Sequence, residues 1–165
     1  MKIKKHVDLV LEIAVSTLMV ILVLTVLWQV ISRFILGMPS PYTDELAGFL
    51  LIWVGLLGAA YATGQKQHLA INLLAAKLSL KNQIRQQVFI NVLIVVFAIA
   101  VMVVGGINLS YITLFLQQIS AALRIPVGMV YLVIPLSGLL IIFYAVVDII
   151  LVLKTKSTTL GNPIS

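Results

Sequence analysis

The chain contains no cysteine and only five acidic residues, and charged residues of either sign fill 10% of its 165 positions. Without thiols there are no disulfides, thiolate metal ligands or thiol redox chemistry. So little charge cannot cover the surface of a soluble domain, where about a quarter of residues are charged. The two histidines, His6 and His68, are far apart in sequence and flank apolar runs, so they make no metal site. There is no H-E-x-x-H, no G-x-S-x-G and no phosphate-binding glycine loop. These absences exclude a soluble enzyme, a disordered chain and a secreted disulfide scaffold. No catalytic residue, metal site or cofactor site is expected.

What fills the sequence is hydrocarbon: 62% of residues are hydrophobic and the mean hydropathy is +1.18. The few charges are strongly unbalanced, 11 basic against 5 acidic, giving a net +6. On a soluble chain that excess would suggest nucleic acid. On a membrane chain it records topology, and no nucleic-acid partner is expected here.

A bilayer core requires about 20 apolar residues in a helix. The uncharged stretches are Ile13–Ser32 (20 residues), Leu46–Gln65 (20), Gln86–Leu123 (38) and Ile125–Val147 (23). They predict an all-α integral membrane protein: one domain over 1–153, with four spans at about 8–35, 45–64, 88–118 and 126–153. A polar cytoplasmic tail follows at 154–165. The third stretch is read as one long helix, because a hairpin at Gly105-Gly106 would leave two halves too short to span; the glycine pair marks a kink at most. The first span is a retained helix rather than a signal peptide, being too long and lacking a small-residue cleavage site.

Four spans place Lys2, Lys4, Lys5, Lys66, Lys77, Lys81, Arg85, Lys154 and Lys156 on one side and Arg33 and Arg124 on the other. Nine cations against two predict cytoplasmic termini and outside loops at 36–44 and 119–125. In 69–85, Lys77, Lys81 and Arg85 recur every four residues, while Ile71, Leu74 and Leu78 fall on another face. This pattern fits an amphipathic helix in the interface with its cations on lipid headgroups; a solvated loop is the plain alternative.

Polar residues within spans are the default functional suspects. Asp8, Glu12 and Asp148 lie near the cytoplasmic ends, where each can meet a lysine or a headgroup; a proton or ion site is the sharper alternative. Gln29, Asn91 and Asn108 suit hydrogen bonds between helices. Gly55, Ala59 and Ala62 share one face of the second span and permit close contact, within the chain or with a partner, with Trp53 nearby. In the first outside loop, Pro39 and Pro41 stiffen the chain and Thr43 or Asp44 can cap the second helix. An ion pair from Arg33 to Asp44 or Glu45 would close the hairpin. Pro39, Pro41 and Tyr42, with Arg124 in the other outside loop, offer a docking surface.

Several local patterns occur in a fixed order: W-Q-V-x-x-R-F at Trp28–Phe34, P-Y-T-D-E-L at Pro41–Leu46, W-V-G-L-L-G-A-A-Y-A at Trp53–Ala62, then His68, and G-M-V-Y-L-V-I-P-L at Gly128–Leu136. In these, over about 1–153, the chain resembles the small (DctQ-type) membrane subunit of tripartite ATP-independent periplasmic (TRAP) transporters, most of all those of sialic acid systems. Tyr42 stands where that family commonly has Trp. The resemblance implies a non-catalytic subunit of the bacterial inner membrane. Its implied partners are a large membrane subunit that holds substrate and sodium, and a periplasmic substrate-binding protein. It implies that the chain braces the large subunit's fixed part while the rest moves as an elevator. Arg33, Asp44 and Glu45 would organise the periplasmic hairpin, and the Gly55/Ala59 face would meet the large subunit. The alternatives are a C4-dicarboxylate or other carboxylate system, or a self-sufficient small multidrug exporter coupled through Glu12.

Overall fold

The computed structural model describes residues 2–65 and 80–160, with side chains over 4–65 and 82–154. Among them the chain is all helical apart from one isolated bridge. Helix α1 (Lys2–Phe34) and helix α2 (Pro41–Gln65) form an antiparallel pair. The third span is one continuous rod. It consists of α3 (Leu80–Phe97), a π-helical stretch (Ala98–Gly105) and α4 (Gly106–Phe115). The fourth comprises the short α5 (Val127–Tyr131) and the long α6 (Val133–Leu160). Four helices are long and apolar enough to cross a membrane: Lys4–Phe34, Pro41–Gln65, Asn82–Phe115 and Val127–Lys154.

Several boundaries differ from the sequence expectation, each for a local reason. Helix α2 starts at Pro41, whose missing N–H costs nothing in a first turn. Thr43 and Asp44 therefore lie inside the helix and do not cap it; the Thr43 hydroxyl donates to the Ser40 carbonyl at 3.1 Å. The fourth span breaks at Leu132 because Pro135 has no N–H to give the Tyr131 carbonyl four residues back. Residues 80–85, expected to end the interfacial helix, belong to the third span. The remainder of that proposed helix, Lys77 included, lies outside the described residues. Residues 154–160, expected in a polar tail, extend α6.

Lipid tails are as apolar as leucine, so helices in a membrane gain from close contact rather than from leaving water. Glycines supply that closeness around the fourth span. A Cβ on Gly106 would lie 2.8 Å from Pro135 Cδ, one on Gly138 2.8 Å from Met102 Cβ, and one on Gly128 2.9 Å from the Ser110 carbonyl oxygen. The expected kink at Gly105-Gly106 is thus a site of contact: both residues keep ordinary helical angles, and Gly106 lets the third span touch the fourth. Two clusters fill the interior, Leu11, Leu57, Val133 and Tyr144 in one, Ala60, Ala98, Met102 and Ile141 in the other. The fourth span contributes to both, so it is the centre of the bundle.

Several hydroxyls in the spans return to their own helices, as an interior without water requires. Thr25, Thr63 and Thr113 donate to the carbonyls of Ile21, Ala59 and Leu109, four residues back, at 2.6–2.8 Å. Among the described residues, the Ser110 Oγ is buried and unpartnered.

Candidate functional site

Polar side chains gather at the two ends of the bundle. At the end holding the chain termini, the Lys4 ammonium donates to the Gly64 carbonyl at 3.3 Å, placing a cation on the C-terminal end of α2. One turn on, Tyr144 Oη donates to Asp8 Oδ1 at 2.6 Å. Asp148, expected near a lysine or headgroup, instead points between the third and fourth spans and is 9% exposed. It accepts from Asn91 Nδ2 at 2.6 Å and from Gln87 Nε2 at 3.3 Å. Two neutral amides hold it, because α3 brings Gln87 and Asn91, four residues apart, onto the face packed against α6. Glu12 lies exposed on the outer surface of α1.

At the opposite end the structure redistributes the expected hairpin contacts. Asp44 accepts a hydrogen bond from Gln29 of α1, closing the first helix pair. Glu45 reaches across to the loop between the third and fourth spans. Its Oε1 accepts from the Ala121 N–H at 3.1 Å, and its Oε2 from Ala122 and Leu123 at 2.9 and 2.8 Å. Arg33 makes no ion pair with either carboxylate among the described residues. It points outward from the last turn of α1, and both acids are already satisfied.

The loop that receives Glu45 is tightly built. Helix α4 ends in a reciprocal pair, Gln118 N–H to the Thr113 carbonyl and Gln117 N–H to the Leu114 carbonyl. Gln117 takes the left-handed position (φ 50) usually given to glycine. The chain then doubles back through the Ile119–Pro126 bridge, with the Ser120 N–H bonded to the Ile125 carbonyl at 2.9 Å. Arg124 is also left-handed (φ 55). Two such residues cost roughly 1–3 kcal/mol each and mark a shape that the surroundings enforce. The turn aims three successive N–H groups at one point, an arrangement suited to an anion, and the Glu45 carboxylate fills it.

Around this clamp the surface is apolar. Phe34, Ile35, Met38 and Phe115 are each at least 75% exposed, and Pro39, Pro41, Tyr42 and Arg124 are exposed beside them. On α2, Leu57, Ala60 and Gly64 face inward, while Gly55, Ala59 and Ala62 face out; a Cβ on Gly55 would meet nothing within 4 Å. Trp53 turns toward its own chain, donating its indole N–H to the Val130 carbonyl at 3.1 Å. Arg85 is exposed on α3, and the Lys81 side chain lies outside the described ones. Of the residues that matter here, sequence reasoning missed the backbone donors of 121–123, which leave no side-chain signal, and the reach of Glu45 to them.

Comparison with known proteins supplies the context. The family model for the DctQ component of tripartite ATP-independent periplasmic transporters matches residues 22–155. The sialic acid TRAP transporter small permease protein SiaQ of Vibrio cholerae serotype O1 is 27% identical over 136 residues, covering 79% of each chain.

Proposed function

This chain belongs to the DctQ component family of the tripartite ATP-independent periplasmic transporters, and from that premise we propose that it is the bracing subunit of a sodium-driven importer of an organic acid, sialic acid in the first instance. As a small TRAP permease component it is a multi-pass protein of the inner membrane. In the proposed assembly it is non-catalytic and carries no sodium or substrate of its own. A large membrane subunit binds both and moves against it, and a periplasmic binding protein delivers substrate to the end built around Glu45. Arg33, Pro39, Pro41, Tyr42 and Arg124 are exposed there for that encounter.

The observation that carries this reading is the open strip Gly55, Ala59 and Ala62. Small residues permit backbone approach between membrane helices, and among the described residues no element covers the strip, whereas the opposite face of α2 is packed. Every acidic side chain of the described spans except Glu12 is also engaged inside the chain, as suits a brace. Glu12 is exposed near the terminal end, a poor place for the coupling site of a self-sufficient exporter.

The test is affinity purification from native membranes. A much larger polytopic protein should co-purify, and Gly55→Leu with Ala59→Leu should release it while the chain itself still accumulates. Reconstituted with that partner and its binding protein, the pair should take up sialic acid only with a sodium gradient. Purification of the chain alone, with cation export lost on Glu12→Ala, would overturn the reading.

A further inference from the structure

Helix α3 has two unlike faces. Gln87, Asn91 and Ile94 pack toward the fourth span. The other face lines an open groove of Asn82, Arg85, Gln86, Val88, Phe89 and Val92. The groove is graded along the helix. Its first turn carries two amides and a guanidinium, and the turns after it are apolar, with Phe89 61% and Val92 44% exposed.

Charge singles out Arg85. No acidic residue occurs between Leu80 and Phe97, and no carboxylate pairs with Arg85 among the described residues. Asp148 lies on the far side of α3, buried and held by two amides. Lys81 precedes Arg85 by one helical turn. Immediately after Arg85 begins the uncharged stretch Gln86–Leu123, so the guanidinium stands at the polar boundary of the third span. Phe89 and Val92 lie about 6 and 10 Å deeper along the axis at 1.5 Å per residue.

We propose that this groove is a binding site for an anionic phospholipid. The Arg85 guanidinium takes the phosphate through a charge-assisted, fork-shaped pair of hydrogen bonds. Asn82 and Gln86 donate to the headgroup and glycerol oxygens, and one acyl chain runs down over Val88, Phe89 and Val92. An occupant must be anionic at one end and hydrocarbon along the membrane normal, and a phospholipid carries both features at that spacing. The site lies on the face of α3 turned away from the fourth span and is independent of the bracing role.

The test uses the full chain, with any partner that co-purifies, in nanodiscs of phosphatidylcholine containing spin-labelled phosphatidylglycerol or spin-labelled phosphatidylcholine. The motionally restricted fraction should favour phosphatidylglycerol by about fivefold, the preference expected of one cation at an anionic surface. High salt should weaken that preference, Arg85→Gln should abolish it at unchanged thermal stability, and Arg85→Lys should keep only part of it, because an ammonium retains the charge without the fork. Equal restriction of both lipids, or an unchanged preference in Arg85→Gln, would overturn the proposal. Displacement of the label by inorganic phosphate would assign the site to a free anion instead. A photoreactive phenylalanine analogue placed at Phe89 in native membranes should crosslink lipid, and a crosslink to polypeptide would show that protein covers the groove.

Discussion

Replacing Gly64 with alanine tests how tightly the terminal end of the bundle is locked. The added Cβ would lie 2.6 Å from Cε1 of Tyr144, with two further ring atoms at 2.8 Å. An ordinary contact begins at 3.4 Å, so ring or helix must give by about 0.8 Å. The ring has nowhere to go: Tyr144 is 1% exposed, packed with Leu11, Leu57 and Val133, and tied through its hydroxyl to Asp8. Overpacking of this kind costs roughly 1–3 kcal/mol, and losing the Tyr144–Asp8 bond adds about 1 kcal/mol. Gly55→Ala is the matched control. It has the same chemistry on the same helix, with open space around the new methyl, so the gain in helix propensity of about 1 kcal/mol cancels in the comparison. Equilibrium unfolding of the purified chain in mixed micelles should therefore place Gly64→Ala below Gly55→Ala by about 2–4 kcal/mol, the sum of the two penalties. In a Tyr144→Ala background Gly64→Ala should cost almost nothing further. Equal stability of the two alanine variants, or additive losses in the double mutant, would refute the reasoning.

Glu45→Ala should raise hydrogen exchange at the Ala121, Ala122 and Leu123 amides and impair uptake, with Glu45→Gln intermediate because one acceptor oxygen remains; unchanged exchange would show that the loop holds its shape unaided. Asp148→Asn should be tolerated, whereas Asp148→Ala should lose roughly 1–3 kcal/mol by stranding the Asn91 and Gln87 amides, as read by the same unfolding assay. Ser110→Ala should be neutral or stabilising, since its buried hydroxyl has no partner to lose. Reporter fusions at Gln118 and Leu80 should read outside and inside respectively, and a cytoplasmic signal at Gln118 would reverse the inferred orientation.

Much of the fold was legible because a membrane leaves the sequence few choices. Charge-free stretches of sufficient length gave four spans, and Pro39 and Arg124 fell in connections as composition implied. The places where reading failed share a cause: they depend on partners distant in sequence. Pro135 was visible, but its effect at Leu132 requires knowing that the helix continues on both sides. Gln117 takes a left-handed conformation that nothing in a glutamine announces. Asp148 looked like an interfacial acid because it lies six positions before Lys154; only the facing of α3 and α6 turns it toward Asn91. Likewise Arg33 seemed the natural mate for Asp44 and Glu45, yet a nearby amide and three backbone N–H groups reach them first. The small-residue face of α2 was readable as a face, but whether its own chain would cover it was not.

The Glu45 clamp also bears on how the far end meets another molecule. Three hydrogen bonds from consecutive residues converge on one carboxylate, so the 119–126 loop cannot turn relative to the start of α2 without straining all three together. The 119–126 loop is thus tied to the start of the second span. A ligand landing there meets a surface whose ordering entropy was spent during folding, and any tilt of the second span is felt at once by whatever sits on the loop.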